Sequence, residues 1–181
     1  MDGELPDIEF LFNAAVRFHQ QGNLQRASEL YDRVQSLDPL HVMSLNNQAL
    51  IASYDLLAAT YLNVILGEIA SDNTLCGGEN DNDVPGWQEI DDMRHGPAND
   101  QLRNLWNWMY AGINRCNYMF EFRDKLDFDG KDQILGQAAF LRAYYYFELT
   151  KWFGDIPLAI DKRVSFSEVS GLKRAARSEV Y

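Results

Sequence analysis

Residues 136–158 read Gly136-Gln-Ala-Ala-Phe-Leu-Arg-Ala-Tyr-Tyr-Tyr-Phe-Glu-Leu-Thr-Lys-Trp-Phe-Gly-Asp-Ile-Pro-Leu158, a helical pattern dense in aromatics followed by a marked exit. Ile134, Ala138, Leu141, Tyr145, Leu149 and Trp152 recur at helical spacing, and Phe140, Tyr144 and Phe147 add a second apolar face. A helix of this kind is expected to have neighbours on two sides. Gly154 can adopt the left-handed backbone that closes a helix, and Pro157 pushes Ile156 into extended geometry, so the stop is well specified. Arg142, inside the aromatic run, calls for a carboxylate partner or an exposed end.

Outward from this helix the chain reads as further helices separated by one long irregular segment. Asn99 or Asp100 caps a helix running to about Lys125, with Leu102, Leu105, Trp106, Met109, Ile113, Cys116 and Phe120 as its apolar stripe. Residues 71–99 turn to Asp, Asn, Gly and Pro, with Gly77-Gly78, Pro85-Gly86 and Gly96-Pro97 as turn signals, and read as a long polar loop. A helix without internal Gly or Pro breaks near its middle is expected from about His41 to Ala70. Past Leu158 the chain reads as a mixed connection, and no strand is assigned. The expected fold class is all-α.

At the other end, Leu11, Ala15, Phe18, Gly22, Leu24, Ala27, Tyr31, Leu37 and Pro39 fall at the spacings of a single tetratricopeptide repeat, which residues 8–39 resemble. Small Ala15 and Ala27 let paired helices approach, Phe18 and Tyr31 fill the space between them, and Pro39 ends the second helix. One hairpin cannot bury its own apolar face, so it must stack on the next part of the chain.

Composition bounds the function. With 181 residues and 46% apolar content, the chain can bury roughly 70% of its unfolded surface as one domain. Its net charge of −11 argues against a nucleic-acid partner, because few cations are available to displace phosphate counterions. No uninterrupted apolar run approaches the ~18 residues of a spanning helix, and Met1-Asp-Gly-Glu-Leu-Pro6 lacks the basic start and apolar core of an export signal. Cys76 and Cys116 are expected to be free thiols.

Three sequence blocks occur in order: Ile69-Ala-Ser-Asp-Asn73, Leu105-Trp-x-x-Met-Tyr-x-x-Ile-Asn-Arg-Cys-Asn117, and Phe140-Leu-Arg-Ala-Tyr-Tyr-Tyr-Phe-Glu-Leu149 with Trp152-Phe-Gly-Asp-Ile-Pro-Leu158. Together with Arg174-Ala-Ala-Arg-Ser-Glu-Val-Tyr181 they resemble the SusD/RagB family over roughly residues 45–181, and co-occurrence in order is more specific than any one block. One departure is Gln137, where members of that family usually carry Glu. The resemblance implies tetratricopeptide-like hairpins packed in an α-helical domain spanning residues 1–181. It also implies a surface lipoprotein of the outer membrane that captures oligosaccharide or another nutrient and delivers it to a SusC-type TonB-dependent transporter. Because SusD-like proteins continue past the point where this sequence stops, the chain is expected to be the N-terminal part of such a protein.

No chemistry of turnover is recognisable. His19, His41 and His95 are scattered, and neither a His-Glu-x-x-His helix nor a Gly-x-Ser-x-Gly elbow occurs. Asp91-Asp92 and Asp127/Asp129 read as solvated turns, so no catalytic residue, cofactor or metal is assigned. The run from Glu79 to Asp92 offers oxygen ligands a little like a calcium loop, but Pro85 replaces a ligand and Asp92 replaces the usual bidentate Glu. Trp87 in that polar segment has two readings. Its indole can cover the C–H face of a sugar while Asp81, Asn82 and Asp83 meet hydroxyl groups, or it can fold back to anchor the segment on the core. Trp106, Trp108, Trp152 and Tyr144–Tyr146 are assigned to the core by their spacing. The chain is thus expected to serve either glycan capture without catalysis or as a tetratricopeptide-like scaffold for a peptide or partner helix. A glycan hydrolase is a weaker third class.

Overall fold

The computed structural model describes residues 7–58, 60–80, 82–165 and 167–181, so the Met1–Pro6 start lies outside the described residues. The chain is all-α. Helices α1 (Ile8–Gln20) and α2 (Leu24–Leu37) form a hairpin, followed by α3 (Val42–Ala58) and α4 (Thr60–Ile69). A short α5 (Pro85–Asp91) precedes the two long helices α6 (Asp100–Glu121) and α7 (Lys131–Phe153), and α8 (Arg177–Val180) closes the chain. Two two-residue strands, β1 (Ile156–Pro157) and β2 (Arg174–Ala175), pair antiparallel with Ile156 opposite Ala175.

Several helix starts rest on a local acceptor. Asn23 Oδ1 accepts from Arg26 N, and Asn99 Oδ1 accepts from Gln101 N and Leu102 N, so Asn99 and not Asp100 caps α6. His41 Nδ1 plays the same part for α3 by accepting from Ser44 N at 3.2 Å. Gly154 ends α7 at φ +66°, as expected of a glycine stop, but with ψ −120° it leaves the helix by a region that only glycine reaches and not by the left-handed helical one.

The hairpin follows its spacing at Ala15, Ala27 and Tyr31, whereas Phe18, expected to fill it, is half-buried and borders an open groove while Phe12 and Val16 are buried. Ala15, Ala27 and Tyr31 are fully buried between α1 and α2, and Ile51 of α3 completes this small core. A larger core joins α3 to α7 around Leu50, Leu66, Leu105, Ile113, Leu141 and Leu149, and Phe128 packs against both. Helix α6 packs most extensively of these helices against α3 and α7, which also touch each other.

Residues 42–69 carry a correction. By length and mean hydropathy this stretch reaches what a bilayer-spanning helix needs, although no uninterrupted apolar run occurs in it. Its polar groups bond both within α3 and to neighbouring helices. Asn47 Nδ2 donates to Tyr31 Oη at 3.0 Å, Ser53 Oγ donates to Ala49 O, and Arg115 Nη1 of α6 reaches the Ala52 carbonyl. Leu50 and Ile51 of α3 and Leu66 and Ile69 of α4 are buried in the cores, while Tyr61 and Val64 of α4 stay exposed.

Helix α7 departs from the two-faced reading. Ile134, Ala138, Leu141, Tyr145 and Leu149 are buried as expected, but Phe140 is 71% exposed and Phe147 46% exposed. Spacing gave them a common face, yet the only aromatic contact of Phe147 among the described residues is with Tyr181, edge-on at 5.7 Å.

The exit after α7 is held by a polar clamp. Tyr110 Oη donates to Pro157 O at 2.7 Å, Asn117 Nδ2 donates to Ala159 O at 2.7 Å, and Tyr146 Oη both donates to Ala159 O and accepts from Ala159 N at 2.8 Å. Among the described residues Arg142, half-buried, hydrogen-bonds to no carboxylate. It donates to Asn117 Oδ1 and Ile160 O, both at 2.8 Å, and stacks over Phe120 at 4.1 Å from the ring centre. The aromatic run thus fixes the backbone just beyond it.

One buried titratable group couples the hairpin to pH. His19 is 4% exposed, its Nδ1 lies 3.4 Å from Tyr31 Oη, and burial lowers its pKa from 6.5 to about 4. The unfolded chain takes up this proton near pH 6.5 and the folded chain only near 4. Stability from neutral His19 is therefore complete above 6.5 and is lost as pH falls towards 4. Between pH 7 and 5 the loss should be about 2 kcal/mol. Urea unfolding of the parent and of His19→Leu across that range checks this: equal pH slopes would show that His19 is not the group responsible.

Candidate functional site

The 71–99 segment is not wholly irregular. Pro85 has no N–H to lose at the first turn of a helix, and Ile90, fully buried, gives α5 an anchor, so residues 85–91 coil where turn signals suggested only a loop. The rest is tied together by its own polar groups. Asp83 Oδ2 accepts from Glu79 N, Asn80 Oδ1 accepts from Asn82 N, and Asp91 Oδ2 accepts from Cys76 N at 2.9 Å. Asn99, 5% exposed, staples α5 to α6 by donating to Gly86 O and Glu89 Oε2, both at 2.9 Å. Cys76 and Cys116 are free thiols, and no metal-binding cluster occurs among the described residues.

Trp87 is half-buried. One side packs on the larger core, and the residue lines a shallow cleft of about 390 Å³ with Glu89, Asn99, Asp100 and Gln101. Asn82 and Asp83 are exposed just before α5 and do not line that cleft, and Asp81 lies outside the described residues.

A second cleft of about 540 Å³ opens where α6 meets the last turn of α7. Trp106, Trp152 and Phe153 form its apolar wall, with Trp106 edge-on to Phe153 at 4.9 Å and beside Tyr110 at 4.8 Å. The Trp152 indole is fixed from behind, because Nε1 donates to Asn63 Oδ1 at 2.6 Å while Asn63 Nδ2 donates to Glu148 Oε2 at 2.8 Å. Glu148, 5% exposed, is paired with Lys151 Nζ at 2.6 Å. His95, Arg103 and Arg174 supply the ionisable rim. Arg174 sits on β2 and is held by donating to Asp155 O at 2.8 Å.

Helical spacing assigned Trp106 and Trp152 to the core, and both do pack against it. They remain half-open because the α6–α7 seam ends there. Arg103 could have been associated with Trp106 from sequence, since three residues apart places them on one helix face. Nothing local pointed to Arg174, which arrives through the β1–β2 pairing. The two clefts abut: residues 98–101 line the first, and residues 95–97 with 102–103 line the second.

Residues 35–181 match a SusD-like family model described as starch-binding and associating with the outer membrane. SusD-like protein P2 of Formosa agariphila is 31% identical over 97 residues, covering 52% of this chain and 19% of that protein. Among solved structures, surface glycan-binding protein A from Bacteroides uniformis superposes with a TM-score of 0.63 at 29% identity, covering 75% of this chain and 31% of that one. The chain therefore spans under a third of the length of either relative. The α1–α2 hairpin lies almost entirely before the family match, which begins near the end of α2.

Proposed function

Because this chain belongs to the SusD-like family, we propose that it serves the capture of an oligosaccharide at the outer-membrane surface and its delivery, without chemical turnover, to a SusC-type TonB-dependent transporter. The observation that carries this reading is the pair of aromatic clefts lined in alternation by residues 95–103, with 98–101 facing one and 95–97 with 102–103 facing the other. Sugar rings present apolar C–H faces and a polar rim, so they need flat aromatic surface beside groups that exchange hydrogen bonds. Trp106, Trp152 and Phe153 offer that surface in one cleft, and Trp87 offers it in the other. Asn99, Asp100 and Gln101 border Trp87, and Asn82, Asp83 and Asp81 precede it in the segment. The relatives reinforce the reading, since one is named as a glycan-binding protein and the family model as starch-binding.

Intrinsic fluorescence of the purified chain, titrated with a panel of soluble oligosaccharides, tests the proposal. Binding should quench tryptophan emission, and Trp106→Ala or Trp87→Ala should weaken it by about tenfold or more, equivalent to about 1.4 kcal/mol. Affinity untouched by both substitutions in folded variants would remove these clefts from the glycan site. Co-purification with a SusC-type transporter tests the delivery step.

A second reading, docking of a peptide or partner helix on the hairpin, is favoured by Phe10. This residue is 71% exposed and borders a groove along α1 with Asn13, Arg17 and Phe18.

A further inference from the structure

Within the glycan-capture reading, on which this inference rests, we infer that the α6–α7 cleft takes an acidic sugar unit, one that carries a carboxylate or sulfate group. Every ionisable side chain lining it is basic: His95, Arg103 and Arg174. That is unexpected in a chain with 27 Asp and Glu against 16 Lys and Arg. Elsewhere the chain pairs several of its arginines with carboxylates, as in Arg26 with Glu29, Arg94 with Asp92, and Arg163 with Glu121. Among the described residues, neither Arg103 nor Arg174 has such a partner. Arg174 spends its Nη1 on the Asp155 and Phe153 carbonyls, which fix its position without neutralising its charge. The neighbouring Asp155 carboxylate is turned to another task, accepting from Arg177 N at 2.9 Å.

Two uncompensated guanidinium groups beside a wall of Trp106, Trp152 and Phe153 match an anionic sugar on both counts. The aromatic faces cover the ring, and the planar forks meet a carboxylate or sulfate with two parallel hydrogen bonds. The Trp87 cleft has the opposite character, since Glu89 and Asp100 border it. An acidic unit is therefore directed to the α6–α7 cleft and repelled from its neighbour.

Calorimetric titration of the whole chain with oligogalacturonate, a sulfated galacto-oligosaccharide, maltohexaose and xylohexaose separates the outcomes. At least one of the two acidic ligands should bind ten or more times tighter than both neutral ones, and the preferred one identifies the anionic group. That preference should shrink at least fivefold in 0.5 M NaCl and in Arg103→Gln, whose exposed side chain has no described hydrogen bond. Neutral ligands should be unaffected by that substitution. Equal binding of acidic and neutral ligands would overturn the inference while leaving glycan capture standing. An acidic preference kept in both Arg103→Gln and Arg174→Gln would overturn this placement of it. Binding of none of the four by the folded chain, with neutral and acidic ligands failing alike, would overturn both readings.

Discussion

Tyr145→Ala is expected to destabilise the chain by about 3–5 kcal/mol, the range for removing a large buried aromatic. Tyr145 has no exposed surface, its hydroxyl donates to Ser53 O at 2.6 Å, and its ring fills the seam between α6 and α7. That seam is unusually tight at Gly112. A methyl group there would lie 2.5 Å from Tyr145 Cε2 and 2.8 Å from both Cδ2 and Cζ. Gly112→Ala alone should therefore lower stability, because overpacking costs about 1–3 kcal/mol and exceeds the ~1 kcal/mol that alanine gains over glycine in a helix. In a Tyr145→Ala background the clash is gone and only the helix gain remains, so the same substitution should raise stability. A double-mutant cycle by urea unfolding reads this change of sign directly. Additive effects within about 0.5 kcal/mol would show that the ring and the glycine are not in contact as described.

The second large effect is expected at Arg142. Burial lowers its pKa, so the guanidinium is held charged in a half-dry site by its bonds to Asn117 Oδ1 and Ile160 O and by the Phe120 ring. Arg142→Ala leaves Asn117 Oδ1, in a residue with no exposed surface, short of that donor and removes the stacked pair. The combined loss should be about 3 kcal/mol. Arg142→Lys keeps the charge but presents one compact donor group in place of the planar fork, and should fall between the two. The loss should also be local. Ala159 N, which donates to Tyr146 Oη, should exchange its hydrogen faster, whereas amides in the α1–α2 hairpin should not. A loss below about 0.5 kcal/mol with unchanged exchange at Ala159 would mean that Tyr110, Asn117 and Tyr146 hold the exit unaided.

Local pattern was enough for the helices and much of their packing. Periods of 3.6 residues, with Gly22 at the hairpin turn, Asn99 as a cap and Gly154 as the stop, give α1, α2, α6 and α7 to within a few residues. Ala15 and Ala27 were legible as the points of close approach in the hairpin and Tyr31 as its filling, though Phe18 was not so placed. The ordered blocks from Ile69 to Leu158 gave the family, and the net charge of −11 turned attention away from nucleic acid. All of these are properties of one segment at a time or of the composition.

How those segments cover one another is settled only in three dimensions. Periodicity says that Phe140 and Phe147 share a face, but whether a neighbour lies on that face depends on where another helix runs, and here they stand open. The same limit applies in reverse to Trp106 and Trp152, whose core spacing conceals that the α6–α7 seam ends beside them and leaves a cleft. Arg142 sought a carboxylate by the logic of charge, and the fold supplied an amide oxygen, a carbonyl and a ring. Pro85 read as a turn because a proline that breaks a helix and one that begins it look alike until Ile90 finds a core to anchor in. The gathering of His95, Arg103 and Arg174 around two tryptophans is the strongest case. These residues come from a loop, a helix and a strand, with Arg174 more than 70 positions beyond the other two, and chemistry that depends on a shared cleft exists only once helix ends and strand pairing have set the distances between them.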